Sequence, residues 1–403
     1  MKKQLPLLSE YNKYRALTFA RYFGEFIYNS LLTVFLKDRG FSGAELGTLL
    51  SFSPFIVALT LPLWARIDRG MAKKILLLSS CAVIFVTQVL LYFSTSFTIT
   101  AICMLLYSVA RAPLAPSLDS MTAIYCLENK KEYSLIRSWG SAGYIFAIMV
   151  GSWMYDRADF MAITVVSTVS LGLFIFFLFS TKTLDTDKVK LSHSEENHDL
   201  KLLFTNKAFI TFLILQLICA ATLTAMNNYE ILYLNFRGIP TRNFGITTLV
   251  RVSSEIAALF LLRKVKLSYK TLYLIAPFLV IPQIAVSFFE LPTILIYFTM
   301  IPSGAASGFF IYLTNRYISI IVRRRNITAA SYAQVMLQSV FTGLYLMAGG
   351  SVIDTMGITY IYLFAGCLFA LSAIFVLIFF RKNPRPAFMD EEVAEKPAAV
   401  TAN

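Results

Sequence analysis

Runs of about 20 mainly apolar residues recur along this chain, each long enough to carry a helix rising about 1.5 Å per residue through about 30 Å of hydrocarbon. Twelve can be placed: 16–36, 44–65, 74–94, 97–124, 136–155, 160–180, 208–235, 244–262, 271–289, 293–318, 328–350 and 358–380. They are far longer than the alternating segments of about ten residues in a membrane barrel. A backbone that faces lipid must satisfy its own polar groups, so these runs read as helices. The 403 residues are 57% apolar and 15% charged, with 35 Phe and 21 Tyr, more apolar surface than a water-soluble core of this length hides. The expected class is an all-α integral membrane protein with twelve transmembrane helices; no cleavable signal peptide is expected.

A net charge of +13 raises the question of nucleic acid, and the placement of the basic residues answers it. With both termini cytoplasmic, the tails and the even-numbered loops hold most of the Lys and Arg. The opposite loops hold only Lys37, Arg39, Arg157, Arg237 and Arg242. This is the positive-inside pattern of a multi-pass protein of the cytoplasmic membrane, and no nucleic-acid partner is expected. Residues 181–207 are polar, contain both histidines (His193 and His198), and read as a cytoplasmic linker between an N-terminal six-helix bundle (1–180) and a C-terminal one (208–381). Residues 382–403, charged and rich in Pro and Ala, read as a disordered cytoplasmic tail. Gly151-Ser152 followed by Asp156 after the fifth span, and Gly350-Ser351 followed by Asp354 after the eleventh, hint at an internal duplication. The cysteines Cys81, Cys103, Cys126, Cys219 and Cys367 show no CxxC spacing, so neither zinc nor disulfides are expected.

Charges inside the spans are the functional candidates, because a charge at mid-bilayer costs at least about 2.5–3.5 kcal/mol. The first span holds Arg21, Glu25 and Asn29; the fourth Arg111 and Asp119; the seventh Asn227, Asn228 and Glu230; the eighth Arg251 and Glu255. Arg21 with Glu25, and Arg251 with Glu255, have the i,i+4 spacing of a same-helix ion pair. The alternative is that one carboxylate takes a proton or binds substrate while the arginine holds its pKa in range. Glu255 is about 16 Å along its span and is the stronger proton candidate, whereas Glu230 is expected near the outer surface, in reach of water. Arg316 closes the tenth span and reads as a snorkelling cation. The fourth span sets Pro113 and Pro116 between Arg111 and Asp119, which loosens its backbone and suits a helix beside a solute pathway. Tyr107 and Trp139 lie nearby and read either as packing or as contacts to a ligand.

Two stretches carry a family resemblance: Ala115-Pro116-Ser117-Leu118-Asp119 and, eighteen residues after Asp119, Arg137-Ser138-Trp139-Gly140-Ser141-Ala142-Gly143-Tyr144. The chain resembles the major facilitator superfamily, in the branch of lactose permease, the oligosaccharide–proton symporters and the phenylpropionate permeases. The resemblance implies the major facilitator fold and assigns substrate binding to Asp119 and Arg137. Arg111, Trp139, Asn227 and Asn228, by their place in or beside the spans, are further substrate-binding candidates. The loop after the second span, with Asp68, Arg69, Lys73 and Lys74, partly matches the cytoplasmic motif that braces the two halves. Ser254-Glu255-Ile256-Ala257 is similar to the eighth span of the phenylpropionate-permease branch. The Lys-x-x-His-x-x-Glu proton cluster of lactose permease has no counterpart between Leu291 and Thr314. Coupling would then fall to Glu255 or Glu25, beside Arg251 and Arg21. Asn227 stands where lactose permease has an aspartate. Arg111 is an added cation that suits an anionic substrate, unless Asp119 or Glu25 neutralises it.

The leading expectation is a monomeric, cofactor-free, proton-coupled symporter that imports an aromatic acid, sugar or nucleoside by alternating access. An exporter on the same fold is the alternative, but the fifth span lacks the Gly-Pro motif of such exporters. A sensor that binds without flux is a third reading. An enzyme is not expected, since no HExxH or GxSxG motif is present and neither histidine lies in a span.

Overall fold

The computed structural model describes residues 9–66, 70–181, 207–264, 269–321 and 327–382. Among the described residues the regular structure is helical, with no strand. The helices are α1 (Glu10–Asp38), α2 (Gly43–Arg66), α3 (Gly70–Phe93), α4 (Phe97–Arg111), α5 (Leu114–Glu128), α6 (Tyr133–Tyr155) and α7 (Phe160–Ser180), then α8 (Lys207–Gln216), α9 (Thr222–Phe236), α10 (Asn243–Lys264), α11 (Tyr269–Phe288), α12 (Ile294–Ile321), α13 (Ile327–Thr355) and α14 (Tyr360–Lys382). Each predicted span is found. The fourth is α4 with α5, and the seventh is α8 with α9, joined by a π-helical turn at Leu217–Ala221. The predicted linker and tail lie almost wholly outside the described residues.

Local chemistry accounts for where these helices begin and end. α1 starts earlier than its apolar run because the Ser9 hydroxyl accepts from the Asn12 N–H at 3.4 Å and Lys13 pairs with Glu10 at 2.6 Å, which stabilises a polar first turn. Ser42 and Glu45 form a reciprocal capping box at the start of α2, with bonds of 2.8 and 3.2 Å. The fourth span breaks where expected: Pro113 has no N–H to donate, so the ladder is interrupted between Arg111 and Leu114.

Among the described residues, ten spans, with α4 and α5 counted as one and α8 and α9 as one, are apolar and long enough to cross a membrane. α1 and α6 are long enough, at 29 and 23 residues, but carry more polar groups. They pack against each other inside the bundle, where Gly143 lets α6 approach so closely that a Cβ there would lie 2.7 Å from the Phe19 carbonyl oxygen. Their charged and amide groups in mid-span, Arg21, Glu25, Asn29 and Arg137, thus face protein or the space between the halves instead of hydrocarbon. The distribution of polarity fits lipid as the solvent: Phe176 is 64% exposed on the periphery, whereas Glu230 is 1% exposed.

The first six spans meet the last six at one end of the molecule, where α2 crosses α13, α6 crosses α10 and α1 touches α9. Glycines set the distance there. A Cβ at Gly43 would lie 2.6 Å from the Gly350 carbonyl oxygen, and one at Gly245 would lie 2.7 Å from the Ser152 hydroxyl. From this closed end a cavity extends between the halves toward the opposite end.

Candidate functional site

The cavity has a volume of about 850 Å³, within the range of small-molecule sites. The first half contributes Tyr22, Glu25, Phe26, Asn29, Arg111, Arg137 and Tyr144; the second contributes Thr224, Asn227, Asn228, Arg251, Glu255, Gln334 and Gln338. Both halves therefore present aromatic or amide groups and charge to one space.

On the first half, Glu25 is held from two sides. Arg21 pairs with it from one turn away on α1, and Arg111 Nη1 donates to its Oε1 at 2.9 Å from the end of α4. The second Arg111 nitrogen donates to the Ser53 hydroxyl at 2.5 Å. The break at Pro113 leaves Arg111 in the last turn of α4, where it reaches both α1 and α2. Two guanidinium groups around one carboxylate leave a net positive charge here, with the Arg21 guanidinium also lying 4.1 Å over the Tyr22 ring. Asn29, one turn beyond Glu25, accepts from the Tyr107 hydroxyl at 2.9 Å, so Tyr107 orients a wall residue from behind.

On the second half, Arg251 donates from α10 to Glu230 on α9. Glu230 is buried rather than near water, and the expected pairing of Arg251 with Glu255 on its own helix gives way to this contact between helices. α9 packs its Glu230 into the interior, and a buried carboxylate holds the nearest guanidinium more firmly than one facing a cavity does. Tyr144 of α6 lines the same cavity as Arg251 from the other half. Glu255 faces the cavity one turn along α10 and makes no ion pair among the described residues. Gly304 and Gly308 of α12 back directly onto the backbone of Arg251 and Glu255, which lets α10 and α12 pack closely behind them.

Arg137 and Asp119 sit at 4.0 Å, with side chains 39% and 38% exposed, a loose pair beside the Tyr22 ring, whose centroid is 4.5 Å from Arg137. Arg137 lines the cavity and Asp119 stands outside the lining. Asn228 spends one donor on the Thr224 carbonyl at 2.8 Å, and Gln334 donates to Gln338 at 2.6 Å along α13.

A family model described as "MFS_1 like family" matches residues 28–364. The chain belongs to the MFS_1-like family. Among curated relatives, the maltose permease of Geobacillus stearothermophilus is 22% identical over 365 residues, covering 89% of this chain and 91% of that protein. The uncharacterized transporter YwbF of Bacillus subtilis (strain 168) is 24% identical over 353 residues, covering 84% and 85%. Among solved structures, the nucleoside transporter NupG superposes with a TM-score of 0.75 at 17% identity, covering 94% of this chain and 100% of that one. This MFS_1-like protein is thus a multi-pass membrane transporter of the major facilitator type.

Within this MFS_1-like chain, the cavity gathers Glu25, Arg111, Arg137, Asn227, Asn228, Arg251 and Glu255, while Arg21 braces Glu25 from outside the lining. Trp139 is not brought there. It is 41% exposed and meets Phe19 edge-on at 6.3 Å, because the cavity face of α6 runs through Arg137, Ser141, Tyr144 and Ile148, and Trp139 is about 200° from Arg137 around the helix. Lys74 is buried and donates to the Thr181 carbonyl at 2.7 Å, a contact within the first half. Asp68, Arg69 and the Lys73 side chain lie outside the described residues. Arg316 is exposed and donates to the Tyr312 hydroxyl. Charge alone does not mark Ser53, Tyr22, Tyr144, Gln334 and Gln338. Neutral polar groups cost little in a membrane, so they stand out less; the i,i+4 glutamines inside one apolar span were the available signal.

Proposed function

We propose that this protein is a proton-coupled symporter that imports a small neutral polar solute, of the sugar or nucleoside class, by alternating access of the central cavity. The observation that carries the reading is how the cavity charges are committed. Arg111 is taken by Glu25 and Ser53, and Arg251 by Glu230. With Arg137 beside Asp119, and the excess positive charge around Glu25 balanced across the cavity by Glu255, the lining has no surplus cation to draw an aromatic acid, which disfavours the anionic substrate that Arg111 suggested. What is left for a ligand is a set of amides and hydroxyls between aromatic rings, suited to a solute with many hydrogen-bonding groups and an apolar face.

Glu255 supports the proton coupling. It is a carboxylate in the cavity wall whose neighbouring arginine is bound elsewhere, so it can gain and lose a proton without breaking an ion pair. The basic loops lie at the end away from the contact between the halves, and the positive-inside rule assigns that end to the cytoplasm. The structure then corresponds to the inward-facing state, with two six-helix bundles that rock about the cavity.

The test is uptake into proteoliposomes under an imposed inward proton gradient, with separate pools of sugars, nucleosides and aromatic acids. Gradient-driven accumulation of a sugar or nucleoside is expected. Accumulation of an aromatic acid would overturn the substrate class. Dependence on a sodium gradient alone would overturn the coupling, and gradient-driven loss of preloaded solute would make the protein an exporter.

A further inference from the structure

The repeated Gly-Ser and aspartate stretches of the fifth and eleventh spans play no part in the cavity, yet the structure puts both to the same use. Asp354, in the last turn of α13, accepts from two consecutive backbone N–H groups at the start of α2: Gly43 to Oδ1 at 2.6 Å and Ala44 to Oδ2 at 2.7 Å. Asp156, capping the end of α6, accepts from the Arg242 N–H at 3.1 Å, one residue before α10 begins. Each carboxylate belongs to one half of the molecule and holds the N-terminus of a helix in the other half. Ser152 adds a bond to the Arg242 carbonyl at 3.3 Å. The two glycine crossings bring the partners together, with Gly350 against Gly43 and Gly47, and Gly245 against Ser152.

We propose that Asp354 and Asp156 are paired gate residues, two latches that hold the closed end of the transporter shut. The first N–H groups of a helix have no partner within it and carry the positive end of its dipole, so a carboxylate placed on them gains hydrogen bonds and electrostatic attraction together. For the cavity to open at this end, α2 must leave α13 and α10 must leave α6, and both carboxylates then lose these donors. The latches therefore favour the state seen here over its opposite. Asp354, with two short bonds, is the stronger of the two. This inference stands whatever solute the cavity carries.

The test places a single reporter cysteine at Ser30, which lines the cavity, in a background whose five native cysteines are replaced by alanine, and measures its labelling by a membrane-impermeant maleimide applied separately to each face of membrane vesicles. With both aspartates in place, one face should label it faster; that face is the open end. Asp354→Asn keeps the side-chain shape and removes the charge. It should raise labelling from the closed face by roughly three- to tenfold and lower it from the open face. Asp156→Asn should act in the same direction with a smaller factor, and the double variant should approach the product of the two. Should Asp354→Asn fail to fold, Asp156→Asn carries the same prediction at the related contact. Unchanged labelling from the closed face in the folded variants would overturn the proposal. So would an equal rise in Asp354→Glu, which keeps the charge, since the contact would then be one of shape alone.

Discussion

Glu25 takes two guanidinium groups in a space that water reaches only through the cavity, so its removal strands two cations at once. Glu25→Gln should lower stability by about 3–5 kcal/mol, read as a fall in the unfolding temperature of the detergent-purified protein. Arg111→Met alone leaves Glu25 with Arg21 and should cost less. The double variant Glu25→Gln/Arg111→Met should be less destabilised than the two single losses added together, since the stranded Arg111 charge is gone. Additive losses would mean that Arg111 and Glu25 are not coupled. The sequence announced this cluster through charge alone. It named Glu25, Arg21 and Arg111, and left open whether Arg111 would be neutralised or free. What it could not carry was the partner choice of Arg251: i,i+4 spacing favours Glu255, and only the tertiary fold brings Glu230 of the preceding helix closer. Ser53 stayed hidden for the same reason, as its role depends on α2 passing the break in the fourth span.

Among the helices, the contact of α2 with α13 shows how much of the fold rests on absent side chains. Gly47 lies against Gly350 and the Leu346 carbonyl, so a branched side chain there has no room while the closed end stays closed. Gly47→Val should push the two helices apart and favour opening at that end, with transport slowed because one half of the cycle is blocked. Labelling of a Ser30 cysteine from the closed face would rise and uptake would fall; unchanged transport would mean that α2 and α13 can shift without cost. Helix number and type were legible because hydrocarbon imposes a length and apolarity that few other structures share. The fourth-span break was legible too, since Pro113 removes a donor wherever it falls. The π-helical turn at Leu217–Ala221 was not, because the run has no Pro or Gly to mark it and its cause lies in how the seventh span meets its neighbours. Trp139 was drawn toward the cavity by its place in a motif, whereas helical geometry turns it outward.

For the whole molecule, closure at one end and a shared cavity reaching toward the other are what the proposed alternating-access cycle requires of one of its two end states. At the closed end the halves meet through close glycine crossings and through hydrogen bonds to two carboxylates, contacts that must be exchanged when the cavity opens there. The proposed coupling of that exchange to a proton rests on Glu255. Glu255→Gln mimics the protonated side chain permanently. The decisive measurement compares two assays of this variant in the same proteoliposomes: accumulation driven by a proton gradient, and exchange of labelled for unlabelled solute with no gradient. If Glu255 carries the proton, accumulation should fall to the level of empty liposomes while exchange continues at a rate comparable to the unaltered protein. Accumulation that survives in Glu255→Gln would contradict the account and move the coupling to another group.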